Sequence, residues 1–269
     1  MRDSAYQQLP RTVGEIDHRY GDRVHILSDV AALSMVSRIG HPDSAQPAVN
    51  RLLGRCYDRL FLAAVNTVFP HMQAEVPTHM RASVPSAAYR GPIVDPNTRV
   101  VLVGLARAGT LPAYQGFELL HDLCAPSGLR VDHVSMQRRT DEEGRVIGVD
   151  IGGSKFGGDV DGAIVLLPDP MGATGSSLSD AIDLVKALPG TPRAIIGLHL
   201  IVTPEFIRRL TSSHPYAHIF ALRLDRGTSS EEILGKVPGQ DAEETGCNEV
   251  QYIVPGAGGV GELINNSYA

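Results

Sequence analysis

Residues 165–177, VLLPDPMGATGSS, decide how the rest of the chain is read. The lead-in Ile164-Val165-Leu166-Leu167 is apolar at every position, the pattern of a strand buried on both faces of a parallel sheet. Asp169 follows as an exposed acid where such a strand runs out. A loop of small residues and hydroxyls comes next, Gly172-Ala173-Thr174-Gly175-Ser176-Ser177. Leu178, Ala181, Ile182, Val185 and Leu188 then recur at the 3- and 4-residue spacing of one helix face. Strand, acid, small loop and helix start make a site for a sugar phosphate. Loop amides, hydroxyls and the helix N-terminus surround a dianionic phosphate, and the acid accepts from ribose hydroxyls.

Downstream, the patterns predict a strand over 194–202, a helix over 204–213 and a strand over 218–224. Upstream, they predict a strand over 99–105, a helix over 112–124, a strand over 131–136 and a hairpin arm over 146–151. Alternating strands and helices from 99 to 224 imply crossovers and a mostly parallel sheet. Nearer the N-terminus, 1–24 reads as a polar extension and 30–39 as a helix ended by His41-Pro42-Asp43. Asp43 or Ser44 is expected to cap a long helix reaching Val68, with Leu52, Leu53, Tyr57, Leu60, Phe61 and Ala64 on its buried face. Arg51, Arg55 and Arg59 read as its solvated flank. Residues 71–98 read as a strand-bearing loop around Gln73-Ala74-Glu75-Val76, with turns at Gly91-Pro92 and Asp95-Pro96-Asn97. Residues 225–248 are a polar loop or carry a short helix at 230–234.

Three further stretches carry chemistry. Leu105-Ala106-Arg107-Ala108-Gly109 lies at the C-terminal end of a parallel strand, where open α/β sheets place their ligands. There Arg107 offers a guanidinium, and Ala108-Gly109 lets the backbone amides come close to an anion. Gln137-Arg138-Arg139-Thr140-Asp141-Glu142-Glu143 follows a second strand and precedes the hairpin. The third stretch is 252–262, YIVPGAGGVGE.

Taken in order, these stretches resemble the motifs of the uracil phosphoribosyltransferase family, within the type I phosphoribosyltransferases. Asp169-Pro170-Met171 and Ala173-Thr174-Gly175 match its phosphoribosyl-pyrophosphate (PRPP) loop in register. Arg107 falls on the arginine of its pyrophosphate loop, Arg138 on the hairpin arginine, and Lys155 on a lysine after the hairpin. Tyr252 to Gly256 and Gly258 match its base-binding segment, whose backbone groups pair with the base edge.

The resemblance implies an α/β type I phosphoribosyltransferase fold, with a PRPP core over 99–224 and a base-covering hood from 25–98 and 225–269. It implies transfer from PRPP to uracil, giving UMP and pyrophosphate, with Mg2+ carried on PRPP. Catalytic roles then fall to Arg107, Arg138 and Asp169. PRPP binding falls to Ala108, Gly109, Asp169, Pro170, Met171, Ala173, Thr174, Gly175, Ser176 and Ser177. Base binding falls to Tyr252, Ile253, Val254, Gly256, Gly258 and Gly259. It further implies a homo-oligomer, dimer or larger.

The chain also departs from that pattern. Arg139 and Gly259 stand where the family has Asp, Val260 stands for Ala, Glu262 for Asp, and Leu263 for a basic residue. These departures leave two alternatives open: a PRPP- or nucleotide-binding regulator without turnover, or a transferase for another base. On the uracil reading, Gly259→Asp is expected to raise activity wherever residue 259 has an ordinary negative φ.

Two decoys fall away. Residues 256–261, GAGGVG, satisfy a dinucleotide pattern, but only eight residues follow, too few for a helix and strand. Residues 148–155, GVDIGGSK, have P-loop glycines without the required Gly-Lys. A net charge of −6 argues against general nucleic-acid or membrane-surface binding. No apolar run reaches a membrane span, and the polar start is no secretory signal. Cys56, Cys124 and Cys247 are odd in number and widely spaced, which suits reduced thiols in a cytoplasmic protein rather than a disulfide frame or zinc site. No metal site of the protein's own is expected.

Overall fold

A computed structural model describes residues 14–140 and 146–267, with side chains for all of these except 137–140 and 146–149. In chain order the strands begin with β1 (Val24–Ile26), β2 (His71–Pro77), β3 (Ala88–Val94), β4 (Val100–Ala106) and β5 (Leu129–Thr140). They continue with β6 (Val146–Lys155), β7 (Ile164–Pro168), β8 (Met171–Gly172), β9 (Ala194–Val202) and β10 (His218–Leu224). The helices are α1 (Val30–Ile39), α2 (Ala48–Val68), α3 (Thr110–His121), α4 (Ser176–Lys186), α5 (Pro204–Ser213), α6 (Glu231–Leu234) and α7 (Val260–Asn265).

The main sheet runs in the order β1-β10-β9-β7-β4-β5-β6, parallel except for β6, and β8 adds to β9. Strand β7 lies at its centre, buried at every position. Why its sequence shows no polar alternation is plain from the packing. Ile164 and Leu166 enter the core under α1, α2 and α3, while Val165 and Leu167 enter the core under α4 and α5. Strand β4 behaves alike, with Val100 and Leu102 on the first face and Val101 and Val103 on the second. A strand covered on both faces must be apolar at both parities.

Elements α1, α5, β9 and β10 have the bounds read from the sequence. Three local expectations differ. Helix α2 begins at Ala48 with Pro47 as its N-cap rather than at Asp43 or Ser44. Proline disfavours helical geometry in the residue before it, and the Ser44 hydroxyl instead donates to the Arg38 carbonyl at the end of α1. Helix α3 begins two residues before Pro112, which the first turn of a helix tolerates, and ends at His121. Gly91 and Pro92 are not a turn; they lie inside β3, opposite Ala74 and Gln73 of an isolated two-stranded ribbon. A ribbon strand has a free edge, so a proline there need not break a ladder bond. The segment 148–155 is part of β6, which removes the P-loop reading from the structure as well.

The C-terminal helix α7 has no counterpart in the sequence reading. Val260 and Ile264 bury one side of it. Gln46 Nε2 donates to the Leu263 carbonyl at 2.6 Å, and Asn50 Nδ2 donates to the Ile264 carbonyl at 3.1 Å. Those contacts hold the chain end over the start of α2. Residues 14–24 lie against the excursion after β10. Arg19 N donates to the Pro238 carbonyl at 2.7 Å, and the Tyr20 hydroxyl donates to the fully buried Glu244.

Candidate functional site

The C-terminal ends of β4, β5 and β7 open onto one cleft of about 750 Å³, closed on its far side by residues 251–262. Asp169 leaves β7 into it. Its N–H donates to the Leu198 carbonyl at 3.0 Å, so the backbone is held by β9 while the residue is half-buried at the cleft wall rather than exposed. Behind it, His199 Nδ1 lies 2.6 Å from the Asp169 carbonyl oxygen. A carbonyl can only accept, so Nδ1 carries the proton and Nε2 is a bare lone pair, buried without a partner among the described residues. Burial pushes the His199 pKa down to about 4. Tyr57 on α2 closes the other side of this strand end by donating to the Leu198 carbonyl at 3.2 Å, and burial raises its phenol.

Between the folded pKa of His199 near 4 and its unfolded value of 6.5, the unfolded chain binds the extra proton, so stability falls as pH drops through that window. About 1.4 kcal/mol per unit gives a loss on the order of 3 kcal/mol by pH 4. Urea denaturation from pH 7 to pH 4 is expected to show a shallower slope in His199→Gln than in the wild type.

The loop after β7 continues through buried Pro170 to Met171 and Ala173, which line the cleft. Thr174, Gly175, Ser176 and Ser177 form an adjoining small pocket that shares Asp169, Met171, Ala173 and Ser177 with the cleft. Thr174 Oγ1 and Ser176 Oγ lie 3.0 Å apart. Gly175 is the N-cap of α4, with φ +79° and no capping side chain, so the first amides of α4 are not covered by a cap. A Cβ on it would lie 2.6 Å from Leu210 Cδ2, so a side chain is excluded by backbone and neighbours together. Thr203, fully buried, fastens this loop to α5: its hydroxyl donates to the Ala173 carbonyl at 2.5 Å and accepts from Phe206 N at 3.1 Å.

After β4, Arg107 and Ala108 line the cleft, and Gly109 caps α3. A Cβ on Gly109 would lie 2.6 Å from the Pro168 carbonyl oxygen and 2.9 Å from Leu105 N, so the β4 and β7 loops meet only across a glycine. The Ala106–Arg107 peptide is cis. Arg107 Nη1 donates to Ser267 Oγ at 3.0 Å, and Nη2 faces Glu262 Oε1 at 3.7 Å. On β5, Ser135 and Met136 also line the cleft. Arg138 and Arg139 lie further along β5, opposite Val149 and Gly148; their side chains and residues 141–145 of the hairpin are outside the described residues.

In the C-terminal wall, Tyr252, Ile253, Gly258 and Gly259 line the cleft as expected, but Val254 and Gly256 do not. Their backbone groups are already committed within the fold. Val254 N donates to the Gly246 carbonyl at 2.8 Å, and Gly227 N donates to the Val254 carbonyl at 2.9 Å. Gly256 N donates to Asp225 Oδ2 at 2.8 Å, and the Gly256 carbonyl accepts from Arg223 Nη2 at 2.8 Å.

Asp225 is a residue the sequence reading passed over. It follows β10 as Asp169 follows β7, and that strand-end acid was a signal available in the sequence. Gln251 lines both pockets from a backbone with φ +65°, and nothing in the sequence marks it.

The strand ends of the parallel sheet thus present an Arg-bearing loop, an acid and an uncapped helix start to one cleft, as in the type I phosphoribosyltransferases that the sequence resembles. The model of the uracil phosphoribosyltransferase family matches residues 26–242, and the chain belongs to that family. The match ends before the C-terminal cleft wall. Uracil phosphoribosyltransferase of Thermococcus sibiricus is 34% identical over 98 residues, 36% of this chain and 34% of that protein. That of Acinetobacter baylyi is 34% identical over 109 residues, 40% of this chain and 42% of that protein. The matched stretches thus span well under half the length of these relatives. A solved protein from Aquifex aeolicus superimposes with a TM-score of 0.67 at 21% identity, covering 90% of this chain and 97% of that one, which is a likeness of fold. Among the described residues, no helix is long and apolar enough to cross a membrane.

Proposed function

We propose that the protein transfers the 5-phosphoribosyl group of PRPP to uracil, giving UMP and pyrophosphate in pyrimidine salvage. One observation carries the reading: the loop from Asp169 to Ser177 and the Arg107 loop open onto the same cleft. The small pocket at the start of α4 takes the 5′-phosphate, Asp169 the ribose hydroxyls, and Arg107 the pyrophosphate. Arg138 is assigned to the pyrophosphate on the resemblance alone. The base lies against Tyr252, Ile253, Gly258 and Gly259. Displacement passes through an oxocarbenium-like ribose, so the protein's part is positioning and stabilisation of the leaving group.

Mg2+ enters as part of the substrate, ligated by the diphosphate oxygens. Asp169 is the carboxylate at the strand end where that substrate sits, and a single acid suits an ion that arrives with its own ligands. The free thiols of Cys56, Cys124 and Cys247 support a reducing, cytoplasmic setting. The active form is proposed to be a homo-oligomer, dimer or larger.

A second reading has one observation in its favour. Gly259 leaves the C-terminal wall without a carboxylate on that residue, as a binding protein that has lost turnover would show. Calorimetry with PRPP and Mg2+, followed by turnover of uracil, cytosine, hypoxanthine and orotate, separates the readings. Uracil turnover supports the transferase; PRPP and UMP binding without turnover of any base supports the regulator. In the same assay Asp169→Asn is expected to keep the fold and weaken PRPP binding by about 1.5–3 kcal/mol, roughly ten- to a hundredfold. Unchanged affinity in the folded variant would remove Asp169 from the ribose site.

A further inference from the structure

Glu262 occupies the space that Gly259 leaves. Its side chain turns back over the start of α7, so a Cβ built on Gly259 would touch Glu262 Oε2 and lie 3.0 Å from its Cδ. Gly259 itself has φ −78° and ψ 77°, an inverse γ-turn geometry open to any L residue. The backbone therefore does not require glycine here; a side chain at 259 needs only that the Glu262 carboxylate, the end of a flexible side chain, move aside. That carboxylate lines the cleft between Gly259 and Arg107. The charged side chains described along the cleft are Arg107, Asp169 and Glu262, with Asp169 on the sheet side and Glu262 on the opposite, C-terminal side.

Resting on the uracil and PRPP reading above, we propose that Glu262 is the acid of the base end of the cleft, supplying from α7 the carboxylate that residue 259 lacks. A carboxylate repels phosphates and accepts from N–H and O–H groups, so the ligand atoms it suits are the base and ribose donors of a pyrimidine nucleotide. Its Oε1 faces Arg107 Nη2 at 3.7 Å, beyond hydrogen-bond distance, so the carboxylate is not committed to that partner and can serve those donors. Residue 259 meets the φ condition for Gly259→Asp, and the new carboxylate would face the like charge of Glu262.

The test compares wild type, Glu262→Gln, Gly259→Asp and the double variant, reading UMP affinity by calorimetry beside uracil turnover. Glu262→Gln is expected to weaken UMP binding about ten- to a hundredfold. Gly259→Asp alone is expected to weaken it also, because two like charges face each other across the start of α7. The double variant is expected to return to within a few-fold of wild type, with the acid moved from 262 to 259. Should the double variant fold poorly, Glu262→Asp decides instead: it keeps the charge and is expected to retain binding that Gln loses. UMP affinity in Glu262→Gln within twofold of wild type, or a folded double variant no better than Glu262→Gln, overturns the proposal. A wild type that binds UMP without turnover removes the transferase reading, and the UMP affinities still decide Glu262. A wild type that binds neither UMP nor PRPP removes both.

Discussion

Arg107→Ala is expected to lower kcat by about 100- to 1000-fold while moving the KM for PRPP far less. Negative charge grows on pyrophosphate only as the glycosidic bond breaks, so a guanidinium aimed at the leaving group acts mainly in the transition state. The structure adds a reason why the contrast should be sharp. Arg107 donates to Ser267 and has the Glu262 carboxylate 3.7 Å away, so its guanidinium already has an anionic neighbour at the cleft. Ground-state binding then only exchanges one anionic partner for another, and alanine forfeits little of it. Steady-state kinetics with saturating uracil check this. A raised KM beside an unaltered kcat would make Arg107 a ground-state binder instead.

Asp225→Ala is expected to destabilise the fold by about 3 kcal/mol, the lower end of the range for breaking a buried ion pair. Asp225 is 3% exposed, and its two oxygens take Arg223 Nε at 2.6 Å and Nη2 at 2.8 Å. Because Arg223 is itself partly exposed, water recovers some of the loss, which is why the lower end applies. The variant also releases Gly256 N, so the C-terminal wall should loosen and the affinity for UMP fall with stability. Asp225→Asn keeps an acceptor for Gly256 and is expected to lose clearly less. Urea denaturation of both variants measures the difference. A loss below about 1 kcal/mol in Asp225→Ala would mean that Arg223 is served by solvent and that the pair does not hold the wall.

How much of this was legible beforehand depended on the distance over which each feature is encoded. The apolar run of β7 predicts a strand covered on both faces, because every residue of such a strand meets a helix layer. Asp169, the hydroxyl loop and the face of α4 are contiguous, so one short stretch carries the whole strand-loop-helix unit. Arg107 and Gly109 were readable for the same reason. The Gly91-Pro92 misreading shows the limit: those residues usually mark turns, and only pairing with β2 reveals that they lie within a free-edged strand.

The C-terminal wall was least legible. Its matching residues identify the segment, yet which of them face the cleft depends on what their backbones bond elsewhere. Val254 is tied to Gly227 and Gly246, and Gly256 to Arg223 and Asp225. Gly259 read as a lost acid, because in one dimension nothing stands in its place.

By itself, then, the sequence determined the parallel α/β sheet and the loops at Asp169 and Arg107 that end its strands, since periodicity and contiguous motifs are local properties of the chain. The tertiary structure alone decided that His199 lies beneath Asp169, that Asp225 holds Gly256, and that Glu262 fills the space beside Gly259 while facing Arg107. These pairs are separated along the chain or brought together by the turn of α7. Their contacts follow from the order of the strands and the docking of the chain end, which no local pattern encodes.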